Sequence, residues 1–140
     1  MILPRPVGDG LVAAGVAGIL SGAPSTMYAR LTGRSVWEAS AAAGRLVLPG
    51  TASTRSLVTV GGAAHFAISA GWGVVLAHAL PRGREVGIGA LAGLAIAALD
   101  LGIVGRRIDA VRALPLLPQI ADHVAFGAVA GWVISRRRGR

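Results

Sequence analysis

The chain has 140 residues, of which 54% are hydrophobic and only 14% charged, with 21 glycines, no cysteine and a formal net charge of +8. Soluble domains carry about 25% charged residues, and the mean hydropathy here is +0.66. The composition therefore reads as one small integral membrane domain of the all-α class. The absence of cysteine excludes disulfides, thiolate metal sites and iron–sulfur clusters. All 14 basic residues are arginines. They sit at the ends of apolar segments, so they read as topology anchors and lipid-phosphate contacts, with no nucleic-acid partner. An all-arginine, Ala/Gly-rich, cysteine-free composition also fits a GC-rich bacterial genome.

Four apolar stretches follow one another, at 11–29, 57–80, 86–105 and 119–135. A spanning helix needs about 20 mostly apolar residues, and helices are the only open-ended elements that lipid tolerates. The expected fold is thus a four-transmembrane-helix bundle. The first stretch has only Arg5 before it and no cleavage context, so it reads as a span rather than a signal peptide. It is broken near its end by Ser21-Gly22-Ala23-Pro24-Ser25-Thr26.

Between the first two spans, Val36, Trp37, Ala41, Leu46, Val47 and Leu48 alternate with Arg34, Glu38 and Arg45. This predicts an interfacial amphipathic helix over 35–48, stopped by Pro49-Gly50. The polar run Thr51–Ser56 is placed to cap the second span. Pro81-Arg82-Gly83-Arg84 predicts a tight turn into the third, and Pro118 is placed to start the fourth. Small residues recur every four positions: Ala14, Gly18 and Gly22; Ser69 and Gly73; Gly89 and Gly93; Gly127 and Gly131. Such stripes let helix backbones approach closely in lipid, and they also suit a homodimer or a partner in a membrane complex.

Four spans put both termini on one side, with seven arginines on each side of the bilayer. The positive-inside rule is therefore tied. The Arg136–Arg138 cluster, directly against a span, favours cytoplasmic termini.

Helix direction brings the ionisable residues to one depth. His65 lies about 12 Å in from Leu57 and Asp100 about 8 Å in from Gly105, at 1.5 Å per residue. Gln119, Asp122 and His123 open the fourth span on that same side, where Ser25, Thr26 and Tyr28 close the first. His65, Asp100, Asp122 and His123 are the candidate site, with Ser25, Thr26, Ser69 and Gln119 as supporting polar groups. Charges at that depth are costly and mark pathways or relays. His–carboxylate pairing suits proton handling or a divalent cation with nitrogen and oxygen ligands. Each residue also has a plain structural reading. Asp100 could pair with Arg106, Arg107 or a histidine, His65 could bridge helices, and Asp122 could complement a helix dipole. His78 and Trp132 read as interfacial, and Trp37 and Trp72 as interfacial or packing residues. Bis-histidine haem would need His65 and His123 to face each other, and nothing pairs with His78. No phosphate-cradling loop, nucleophile elbow or zinc-protease signature is present, which argues against a familiar enzyme class.

From Ala64-His65-Phe66-Ala67-Ile68-Ser69, through Leu80-Pro81-Arg82 and Gly89-Ala90-Leu91-Ala92-Gly93, to Ile120-Ala121-Asp122-His123-Val124, the layout resembles the YagU-type family of small bacterial inner-membrane proteins. The early Ala14-Gly15-Val16-Ala17-Gly18-Ile19-Leu20-Ser21 fits as well. The chain departs from that pattern in a shorter first loop and in Asp100. The resemblance implies a bacterial inner-membrane location, a link to acid tolerance, and His65 and His123 as the matching intramembrane histidines.

Overall fold

The computed structural model describes residues 4–48 and 50–139. Pro49, expected to stop the interfacial helix, and Arg140, counted among the terminal arginines, lie outside the described residues. The described residues are helical, without strands. Helices α1 (Arg5–Leu20) and α2 (Ala23–Leu31) form the first apolar rod, broken at Ser21-Gly22. Short α3 (Glu38–Gly44) leads to α4 (Thr54–Ala79). Next comes α5 (Glu85–Leu99), which continues through a π-helical stretch (Asp100–Val104) and a 3-10 turn (Gly105–Arg107). Short α6 (Asp109–Arg112) precedes α7 (Leu116–Arg138).

Four rods, Arg5–Leu31, Thr54–Ala79, Glu85–Arg107 and Leu116–Arg138, are long and apolar enough to cross a membrane. Their outer faces carry large apolar side chains such as Ile19, Leu91, Ile103 and Leu117, each at least 60% exposed. A surface of this kind is a liability in water and an asset in lipid.

Helix ends follow the expected chemistry. Ser53 caps α4, its hydroxyl accepting from the Ser56 N–H at 3.2 Å. The Pro81–Arg84 turn closes with Gly83 at φ +81°, a left-handed conformation that glycine adopts without a Cβ clash. Two expectations are corrected. The fourth span starts at Leu116, with Pro115 preceding it. Pro118 falls inside the first turn, where a helix has no use for its N–H. The helix expected over 35–48 is only Glu38–Gly44, and it does not lie free on an apolar face. Its small-residue side docks on the start of α4, where Gly44 meets the Leu57 backbone and Gly61 meets the Ser40 carbonyl. Trp37 and Val47 remain exposed.

The packing order is a row. α4 packs on α1, α1 on α7, and α7 on α5. Glycines make these contacts close: Gly10 and Gly73 bring α1 and α4 backbone to backbone, while Gly89, Gly93, Gly127 and Gly131 interlock α5 with α7. The core of Ala13, Ala17, Leu76, Ala77, Leu80, Phe126, Ala130, Val133 and Ile134 fills the half nearer the termini. α4 and α5, joined by a tight turn, do not form a packed pair. In the other half the space between them stays open.

Candidate functional site: a polar cavity at a broken helix

That opening is a cavity of about 420 Å³. His65, Asp100, Asp122 and His123 all line it, together with Ser25, Thr26, Ser69 and Gln119. Trp72 and Phe126 lie between it and the apolar core, and α3 contributes Ala39, Ser40 and Ala43. The helices thus bring every candidate residue into one space.

The site originates in Pro24. Proline has no N–H to offer the Leu20 carbonyl, and its ring crowds the preceding turn. The rod breaks at Ser21-Gly22, with the Ser21 N–H still bonded to the Ala17 carbonyl at 2.8 Å. The break leaves the Gly18 carbonyl without a main-chain donor and the first N–H groups of α2 without acceptors. In lipid such groups need partners, and side chains from other helices supply them. His65 Nε2–H on α4 donates to the Gly18 carbonyl at 3.1 Å. Asp122 Oδ1 on α7 accepts from the Ser25 N–H at 2.9 Å. A carboxylate there also meets the positive end of the α2 dipole. The plain reading of Asp122, a charge on its own helix, is therefore replaced by a cap on a different helix.

The second pair is His123 with Asp100. His123 Nδ1–H donates to the Gln119 carbonyl at 2.7 Å, which leaves Nε2 facing Asp100 Oδ2 at 3.5 Å. A bare imidazole nitrogen and a bare carboxylate both present lone pairs. The pair is attractive only when it holds a proton, as imidazolium–carboxylate or as imidazole–carboxylic acid. Asp100 opens the π-helical stretch, where the Gly105 N–H reaches back to the Asp100 carbonyl. Single π turns of this sort often occur at functional positions. Asp100 has its histidine partner, as one structural reading anticipated, rather than Arg106 or Arg107.

Among the described residues, no three His, Asp or Glu side chains come together as a metal cluster. The haem arrangement does not fit, because His65 Nε2 is turned to Gly18 and the two ring nitrogens of His123 to Gln119 and Asp100.

At the opposite end lies what the sequence reading missed. Asp9 falls one turn into α1 and Glu85 is the first residue of α5, both helices beginning before the expected span limits. Arg137 Nε meets Asp9 Oδ1 at 2.6 Å. Arg138 donates to the Leu80 and Ala77 carbonyls at 2.8 and 2.6 Å and to Glu85 Oε1 at 3.3 Å. The arginine run in the last turn of α7 therefore clips the α4–α5 turn. An acidic residue near the start of each helix, set against a basic run at the end of another, was the available signal. Arg136 stacks over Trp132 at 5.7 Å, which suits the interfacial position expected for that tryptophan.

Fold and site together define a multi-pass helical membrane protein with a discontinuous first span and an ionisable internal cavity. In comparisons with known proteins, no family model, curated protein or solved structure matches this chain.

Proposed function

We propose that this is a bacterial inner-membrane protein, with cytoplasmic termini, whose cavity is a proton- or cation-responsive site serving transport or the response to acid stress. The observation that carries the reading is the broken first span with both loose ends held by ionisable side chains, His65 and Asp122. Discontinuous helices with groups of this kind at mid-depth are the usual construction of proton- and ion-coupled sites in membranes. As a carboxylate, Asp122 holds α2 by a charge-assisted bond. On taking up a proton it keeps only a neutral one, about half as strong. The His123–Asp100 pair exchanges the same currency, since its attraction depends on one proton. Proton arrival thus changes how firmly α2 is tied to α7. A cation would meet the same carboxylates beside the Ser25 and Thr26 hydroxyls. The YagU-like layout, with its implied link to acid tolerance, agrees with this reading.

The test is proton and metal-cation flux in liposomes. Wild type is expected to conduct. Asp122→Asn keeps an oxygen for the Ser25 N–H but cannot ionise, and it should lose conduction while staying folded, as should His65→Ala/Asp100→Asn. If wild type and variants alike carry no flux, the transport form fails. NMR titration of His65 and His123 then decides the pH-response form: rings that do not titrate between pH 5 and 8, the range in which histidine usually changes charge, would reject it.

A second reading, a structural or accessory subunit without chemistry of its own, has one observation in its favour. Among the described residues, no buried side-chain polar atom lacks a hydrogen-bond partner. That reading expects Asp122→Asn and His65→Gln to change only stability or the capture of a partner.

A further inference from the structure

The terminal end of the bundle holds a second cavity, of about 760 Å³, lined among others by Arg5, Asp9, His78, Arg82, Arg137 and Arg138. It lies just beyond the Gly10–Gly73 contact of α1 and α4, where the two helices no longer touch through glycine. We infer that this cavity binds a phosphate-bearing anion, a phospholipid headgroup or free phosphate, through Arg5 and Arg82.

Four guanidinium groups border the cavity, and two are already answered. Arg137 is neutralised by Asp9, and Arg138 by Glu85 and two helix-end carbonyls. Among the described residues, Arg5 and Arg82 have no acidic or hydrogen-bonding partner. Two positive charges therefore remain on one concave surface. His78 adds a third group: its Nδ1–H donates to the Val74 carbonyl at 2.8 Å, leaving Nε2 unpartnered. Forked guanidinium donors match phosphate oxygens in geometry as well as charge. Placement fits too. Arg5 opens the first span, Arg82 sits in the α4–α5 turn, and Arg137 and Arg138 close the fourth span. All stand at the ends of membrane-crossing rods, the level at which headgroup phosphates lie. The paired arginines are held by their own partners, and the unpaired ones supply the attraction.

The experiment uses the intact chain in detergent. Native mass spectrometry would follow retention of added phosphatidylglycerol against phosphatidylcholine, and calorimetry would follow inorganic phosphate alone. Wild type should retain one phosphatidylglycerol per chain. Arg5→Gln/Arg82→Gln should weaken that retention roughly thirtyfold, taking each arginine near a surface at its usual worth. Arg106→Gln/Arg107→Gln, at the other end, should retain it fully. Circular dichroism checks that both double variants stay helical. Lipid retention lost with Arg5 and Arg82 assigns the headgroup. Phosphate binding lost with the same residues, without lipid selectivity, assigns the free anion. If neither probe binds wild type, or if the Arg5/Arg82 variant binds as wild type does, the inference is overturned.

Discussion

At the residue scale, Asp122 shows how an ionisable group can be legible while its role is not. A carboxylate in an apolar run announces itself by cost alone, and so do His65, Asp100 and His123. All four come to one cavity, because helix direction fixes depth and depth can be counted along the chain. Their partners could not be counted. Asp122 takes the Ser25 N–H, and His65 the Gly18 carbonyl, only because the break at Ser21-Gly22 leaves those groups without main-chain partners. The Ser21–Thr26 interruption was visible, but the geometry of a break is set by what packs across it. The cap leads to a measurable contrast. Asp122→Ala leaves the Ser25 N–H unanswered and should cost about 1–2 kcal/mol, the usual worth of a lost helix cap. Asp122→Asn preserves an acceptor oxygen and should cost less than half of that. Thermal unfolding in detergent resolves the two. Equal losses would show that the charge, rather than the hydrogen bond, secures α2.

At the element scale, hydrophobic length located all four rods to within a few residues or one turn, apart from the start of the first. Its first turns hold Arg5 and Asp9, polar residues that a hydropathy reading excludes and that a helix end tolerates. The small-residue stripes were half informative. Gly73, Gly89, Gly93, Gly127 and Gly131 do meet facing backbone, but Gly22 faces open space at the break. Gly10, Gly44 and Gly61 pack closely and belonged to no stripe. The α3 contact was hidden for the same reason: Trp37, Leu46 and Val47 suggested an apolar face, whereas the residues against α4 are Ser40 and Gly44. Periodicity weighs large apolar residues, while close helix contacts in a membrane are made by small ones. Two neighbouring glycines of α4 separate these effects. Gly61→Ala drives a methyl group into the Ser40 carbonyl and should destabilise by about 1–3 kcal/mol as α3 shifts. Gly62→Ala meets nothing within 4 Å and should be neutral, or stabilise by about 0.5–1 kcal/mol through lost chain entropy. The same change in stability at both positions would mean that α3 is not seated on α4.

At the scale of the whole molecule, the row α4–α1–α7–α5 accounts for both cavities. Consecutive helices α4 and α5 sit apart, so one end opens around the broken helix. The other end is gathered by Arg138, which reaches from α7 to the Ala77 and Leu80 carbonyls and to Glu85. Order within a bundle depends on which helix pairs bury glycine contacts, and four similar Ala/Gly-rich rods do not declare their neighbours in sequence. The parity of the spans is a stronger constraint, and the chain is suited to testing it. With no native cysteine, each introduced thiol reports alone. Gly139→Cys and Arg84→Cys lie at the end where α7 finishes and α5 begins, while Thr51→Cys and Ala113→Cys lie in the connections before α4 and α7. All four positions are exposed. In sealed vesicles of one orientation, a membrane-impermeant maleimide should label one pair and spare the other, and detergent should make all four reactive. Cytoplasmic termini require that Gly139→Cys and Arg84→Cys be the protected pair in right-side-out vesicles. Labelling of Arg84→Cys together with Thr51→Cys would mean that α4 does not cross, and the four-span arrangement would have to be abandoned.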